Sequence, residues 1–162
     1  MPTATLQINN PFSQAVGRGN MNLNSDAIYA LLTNTAPGVN DATVDTTTST
    51  CTINPSGALE IAAGNGYTKG GVVIGSSSFT QASGIAALAG NYAQITATGN
   101  IGPYRYIVFY DNSAGTTSTR PIVGWADYGS SVTQINTQVL TIESIDASNN
   151  WTAANPLLTI TS

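Results

Sequence analysis

Asp41 and Asp45 stand four residues apart beside Asn40, and two carboxylates with neighbouring amide and carbonyl oxygens are the beginning of a calcium loop. Calcium takes roughly 6–8 oxygens and a denser carboxylate set, so the pair reads as solvated loop residues. Asp111 and Asp127 are a second pair of acids, and paired carboxylates hydrolyse glycosides. Nothing in the sequence brings these two together, and they read as turn-capping residues. Gly64-Asn65-Gly66-Tyr67-Thr68-Lys69-Gly70-Gly71 has the glycines and the lysine of a phosphate loop. It lacks the Ser/Thr after the lysine and the following helix that such a loop needs, so it reads as turn chemistry. A serine nucleophile needs a base; Lys69 is the residue left for that role, and no Ser-x-x-Lys occurs. Arg105, between Tyr104 and Tyr106, is placed to pair with Asp127 across strands or to stack on a tyrosine. Cys51, in a Thr-rich run, reads as a small half-buried residue. No residue is assigned to catalysis, to a cofactor or to a metal, and the chain is expected not to be an enzyme.

Composition narrows the classes further. The 162 residues carry 4 basic and 8 acidic side chains, no histidine and one cysteine. Charged residues make up 7%, against about 25% in an average soluble domain. Four cations on a chain of net charge −4 cannot line a phosphate backbone, so nucleic acid is excluded as a partner. The missing imidazole removes most hydrolase and zinc chemistry. A single cysteine forbids an intrachain disulfide and leaves the redox compartment open. No basic and apolar leader and no apolar run of roughly 20 residues is visible, so neither secretion nor a membrane span is expected and the chain reads as soluble. Ser, Thr and Asn supply about a third of the chain, yet 41% hydrophobic content and low net charge argue for a fold rather than disorder.

The elements that must hold these residues read as β. Runs of β-branched and aromatic residues recur at 3–8, 27–33, 49–53, 71–74, 92–98, 104–110, 122–128, 138–144 and 157–161, separated by Gly, Asn, Pro and Ser. Many short strands with Gly/Pro turns predict one all-β domain, a sandwich or jelly-roll-like barrel. One short helix is predicted over 56–63, between Pro55 and Gly64. The strongest segment, Tyr104 to Tyr110, is apolar on both faces, as a strand covered on both sides should be. Alternation places Tyr104, Tyr106, Val108 and Tyr110 on one face. A return strand from Ile122 puts Val123 and Trp125 on a shared face, with Gly124 allowing close backbone approach. The Thr-rich stretch 43–50 and residues 75–78 read as loops or edge segments. Residues 1–25 form an N-terminal arm with a first edge strand, and 26–162 form the β domain.

Three segments carry a resemblance. Gly19 to Thr33 contains Leu23-Asn24-Ser25-Asp26 leading into an apolar strand. Gly66-Tyr67-Thr68-Lys69-Gly70-Gly71 is a Gly-Tyr-Thr-x-Gly-Gly turn. Ile101 to Tyr110, followed by Pro121 to Gly129, is an aromatic hairpin ending in Gly124-x-x-Asp127-Tyr128-Gly129. In this order, over roughly residues 19–161, they resemble a family of small tailed-bacteriophage virion proteins. The resemblance implies a β-rich, non-catalytic structural protein. Its expected role is a capsid decoration (cement) protein on the outer capsid surface, assembled in the host cytoplasm. It would be a homotrimer clipping neighbouring copies of the major capsid protein. The long arm and the Thr-rich insert depart from the family pattern. In the arm, Leu6, Ile8, Pro11 and Phe12 are the expected interface anchors, with Arg18 as a polar lock. The alternative is a receptor- or glycan-binding module of a tail or head fibre, with loop 111–120 meeting sugars.

Overall fold

The computed structural model describes residues 6–75, 78–82, 85–143 and 158–161. Its spine is the predicted aromatic hairpin, β10 (Ile101–Asp111) and β11 (Arg120–Gln134), antiparallel with Ile107 opposite Ala126 and Tyr110 opposite Ile122. On the free side of β10 lies β2 (Ile28–Thr33), followed by β6 (Val72–Val73). Beyond β11 come β3 (Thr43–Asp45), β4 (Thr52–Asn54) and β5 (Ala58–Leu59). The chain leaving β5 then meets β2 again. Glu60 forms an antiparallel bridge with Thr33, the Ile61 N–H donates to the Leu32 carbonyl at 2.9 Å, and the Thr33 hydroxyl donates to the Leu59 carbonyl at 2.7 Å. The curled sheet therefore closes into a six-stranded barrel, and closure removes the open edges that β2 and β5 would otherwise carry.

The two faces of this barrel hold two cores. Leu31, Val44, Cys51, Ile53, Val108 and Ile122 fill the interior. Outside, Ala30, Leu32, Ile107, Phe109 and Val123 belong to a larger core. That core is shared with the two-stranded sheet of β9 (Ala93–Thr96) and β12 (Val139–Ile142). It also takes in Leu88 from the three-stranded sheet of β7 (Ser78–Ala82), β8 (Ile85–Ala89) and β13 (Leu158–Thr161). The all-β expectation is met: antiparallel sheets dominate and the described residues include one short helix.

Several local expectations are corrected. The helix is not at 56–63. Ser56 is held in a turn by Asp41, which accepts its N–H at 2.8 Å and its hydroxyl at 2.7 Å, and the chain then enters β5. The helix, α1 (Asn10–Gly17), lies instead in the expected arm. Pro11 in its first turn has the fixed φ a helix start requires and lacks only an N–H that would be unpaired there. The arm itself is folded in. β1 (Leu6–Ile8) pairs with β11, and Phe12, Met21 and Leu23 are buried in the larger core. Residues 3–5 of the first predicted strand, 76–77 of the serine patch, Ser144 and Leu157 lie outside the described residues. The Thr-rich stretch supplies β3, since Thr43 and Val44 are β-branched and suit a pleated, half-buried surface. β7 and β8 lie where no strand is predicted, and the alanines of β8 are depleted in strands.

Three register shifts interrupt the β10–β11 pairing, and two of them, at Tyr104/Tyr106 and Phe109/Tyr110, change the facing of predicted side chains. One, between Tyr104 and Tyr106, turns Tyr104 toward the larger core, away from the barrel interior that Val108 and Tyr110 fill. The other sets Tyr110 opposite Ile122 but Phe109 opposite Gly124. The extra residue, Val123, joins the larger core, and Trp125 packs on the opposite face against the barrel interior. A bulge inserts one residue and reverses the facing of the residues after it, which is why Val123 and Trp125 do not share a face.

Candidate functional site

The densest polar cluster lies at the barrel seam and is centred on Glu60, within the stretch whose pattern predicts a helix. Its carboxylate is buried and accepts three bonds: from the Tyr67 hydroxyl at 2.6 Å, the Gly70 N–H at 2.7 Å and the Cys51 N–H at 3.1 Å. Tyr67 in turn accepts the Leu32 N–H at 2.9 Å. The Gly-rich loop is thus a strap across the seam, and turn chemistry is its role here. Burial, then the charge of Glu60, drives the Tyr67 phenol far above its ordinary pKa. Burial, then a hydrogen bond to Glu60, pushes the Cys51 thiol up to about 12. Cys51 is fully buried rather than half-buried, so it is packed and chemically quiet.

The other candidate residues have separate duties. Asp41 is 1% exposed, not solvated. Besides Ser56 it accepts the Gly38 N–H at 2.7 Å, and its own carbonyl accepts the Asn9 amide at 2.8 Å, tying two turns to the start of α1. Asp45 accepts the N–H and hydroxyl of Thr47 at 2.8 and 2.6 Å. Asp111 caps the turn after β10 by accepting the Ser113 and Ala114 N–H groups at 2.8 and 3.0 Å. Burial, then the Asp26 carboxyl beside it, raises Asp111 to about 6. Asp127 receives both Nε and Nη2 of Arg105 at 2.8 Å and also accepts the Gly129 N–H. Arg105 does both things expected of it, since its guanidinium also lies 5.2 Å from the Tyr106 ring centre. These bonds hold Asp127 below and Arg105 above their ordinary values. Among the described residues no three His, Cys, Asp or Glu side chains converge as metal ligands.

Of the five expected anchors, Phe12 is buried and Leu6 packs against the larger core. Ile8 is 39% exposed on β1, and Val39, whose carbonyl accepts the Asn10 N–H, is 53% exposed near the β1–α1 junction. Pro11 and Arg18 are brought together on one wall of a cleft of about 400 Å³, with Pro121 and Thr119 among the residues that complete it. Phe12 points inward: with the partly buried Ala15 and Val16 it supplies the apolar side that fastens α1 to the larger core.

A second, larger cleft of about 630 Å³ opens at the barrel mouth where β2 and β11 begin and β10 ends. Tyr29, Tyr110, Lys69, Arg120, Asn112 and Thr46 line it. Tyr29 and Tyr110 pack with ring centres 5.9 Å apart, and the Tyr110 hydroxyl donates to the Gly70 carbonyl at 2.9 Å. Sequence reasoning finds the loop that contributes Asn112 and Arg120 but not the cleft, because Lys69 and Tyr29 reach it from strands and turns distant in the chain. No family model, no curated protein and no solved structure matches the chain.

Proposed function

We propose that this chain is a non-enzymatic structural protein of a tailed-bacteriophage particle. It acts as a capsid decoration (cement) protein, a homotrimer that staples neighbouring major capsid protein subunits on the outer surface. The observation that carries this reading is where the fold places its few charges. Asp41, Glu60 and Asp111 are buried as structural acceptors, and Arg105 and Asp127 are paired. What faces outward is rich in Thr, Ser and Asn, with large apolar side chains at Ile8, Val39, Leu59, Val73, Tyr92, Ile135 and Val139. Such a surface loses little on contact with a neighbour, since few charges must be stripped of water. Several modest contacts per oligomer then sum to a strong clamp. The resemblance of the three sequence segments supports the same reading.

The test is a mass-resolved protein profile of whole particles. The decoration reading expects copies comparable in number with the major capsid protein. A few copies confined to the tail would overturn it in favour of a receptor- or glycan-binding module. On the same particles, Ile8→Asp with Val39→Asp should lower capsid occupancy while the β spectrum is kept.

A further inference from the structure

We infer that the barrel-mouth cleft is a binding site for an acidic saccharide. The inference does not rest on the capsid reading. The cleft holds Lys69 and Arg120, two of the chain's four cations, and no carboxylate is part of its lining. Lys69 uses one donor on the Thr46 carbonyl at 2.7 Å, and Arg120 uses one on the Ala114 carbonyl at 3.1 Å. An ammonium has three donors and a guanidinium five, so most of this hydrogen-bonding capacity remains for a ligand. The acids nearby are engaged: Asp45, which feels the Lys69 charge, is bonded to Thr47, and Glu60 lies behind Cys51 and Gly70 with three donors on it.

The remaining walls specify a sugar rather than a bare anion. The half-buried Tyr29 ring, braced by Tyr110, is an apolar platform of the kind a pyranose face covers. Asn112 and Thr68 add an amide and a hydroxyl beside it. The volume falls within the usual range for small-ligand sites, and barrel mouths are among their preferred places. A carboxylate on the saccharide meets Lys69 and Arg120 while its ring lies on Tyr29.

The test is calorimetric titration of the purified full chain with digalacturonate and 3′-sialyllactose, with lactose as neutral control and triglutamate as acidic non-sugar control. At least one acidic saccharide should bind and lactose should not. Lys69→Gln, a surface change, should weaken binding about fivefold or more, and Arg120→Lys should weaken it while keeping the charge. Three results would overturn the inference: no acidic saccharide binding up to about 10 mM, lactose binding equally well, or triglutamate binding as tightly as the sugars. Unchanged affinity in folded Lys69→Gln would also overturn it.

Discussion

The Tyr67 hydroxyl donates to Glu60 at 2.6 Å and accepts the Leu32 N–H at 2.9 Å, so one phenol oxygen joins the Gly-rich strap, the buried acid and the second strand. Tyr67→Phe leaves the Leu32 N–H without its acceptor and removes one of the two donors on the Glu60 Oε1, and should cost about 2 kcal/mol. Glu60→Ala orphans three donors at once and should cost about 3–5 kcal/mol. Urea midpoints at unchanged slope measure both; a Tyr67→Phe protein as stable as the parent would show that the seam is held by other bonds.

Cys51 beneath that seam should be unreactive. With its thiol pushed up to about 12 and no exposed surface, the folded protein should resist a disulfide-exchange reagent at pH 8. The unfolded chain should react stoichiometrically. Rapid labelling under native conditions would mean that the barrel mouth opens down to its floor.

Asp111 sets a pH dependence of unusual sign. Its folded value of about 6 lies above the ordinary 3.8, so the folded protein binds the proton more tightly than the unfolded chain. Stability should rise as pH falls from above 6 toward 3.8, opposite to the usual behaviour of a paired carboxylate. Asp127, held low by Arg105, contributes stability that is lost only at more acid pH. Asp111→Asn should flatten the slope in the window from 6 to 3.8, read as the melting temperature against pH. An unchanged slope would assign it elsewhere.

Gly124 controls the seating of the first strand. A Cβ there would collide with the Gln7 carbonyl of β1, and the backbone on which it would sit is bonded into β11. Gly124→Ala should cost about 1–3 kcal/mol by overpacking and should make the N-terminal segment cleavable by protease before the rest melts. Phe12→Ala, which removes the anchor of α1, should cost about 3–5 kcal/mol with the same early cleavage. Cleavage no faster than in the parent would show that β1 and α1 are held by contacts other than these two.

The hairpin is legible in the sequence because its signals are local. Tyr104 to Tyr110 is apolar on both faces, and Pro121 and Gly124 fall where a returning strand tolerates them. Pairing of Arg105 with Asp127 is one of the two partnerships the sequence offers, but the register that brings them together is not in the alternation. The helix at Asn10 is not legible, because its apolar side is only Phe12, Ala15 and Val16 in a short polar stretch, and its stability comes from the core beneath. Residues 56–63 carry a helical pattern that loses to tertiary bonds from Asp41 to Ser56. The bulges at Tyr104 and Val123 leave no mark in composition, so alternation misplaces the facing of single side chains there. The acid cluster and the barrel-mouth cleft depend on which strands meet, and no spacing records that Glu60 returns to Thr33.

The pairing of Leu6 with Ala126 has a consequence for biosynthesis. The first strand emerges from the ribosome long before its partner exists, and at ordinary elongation rates it waits on the order of ten seconds. β2 also waits for β10, since Ile28 pairs with Asp111. Until the hairpin arrives, the apolar run Ile28–Thr33 has only β6 and the Glu60–Ile61 segment to pair with. A truncated or stalled chain ending before the hairpin would present β1 unpaired and β2 with one open edge, so nascent chains are where this fold is most exposed to mispairing.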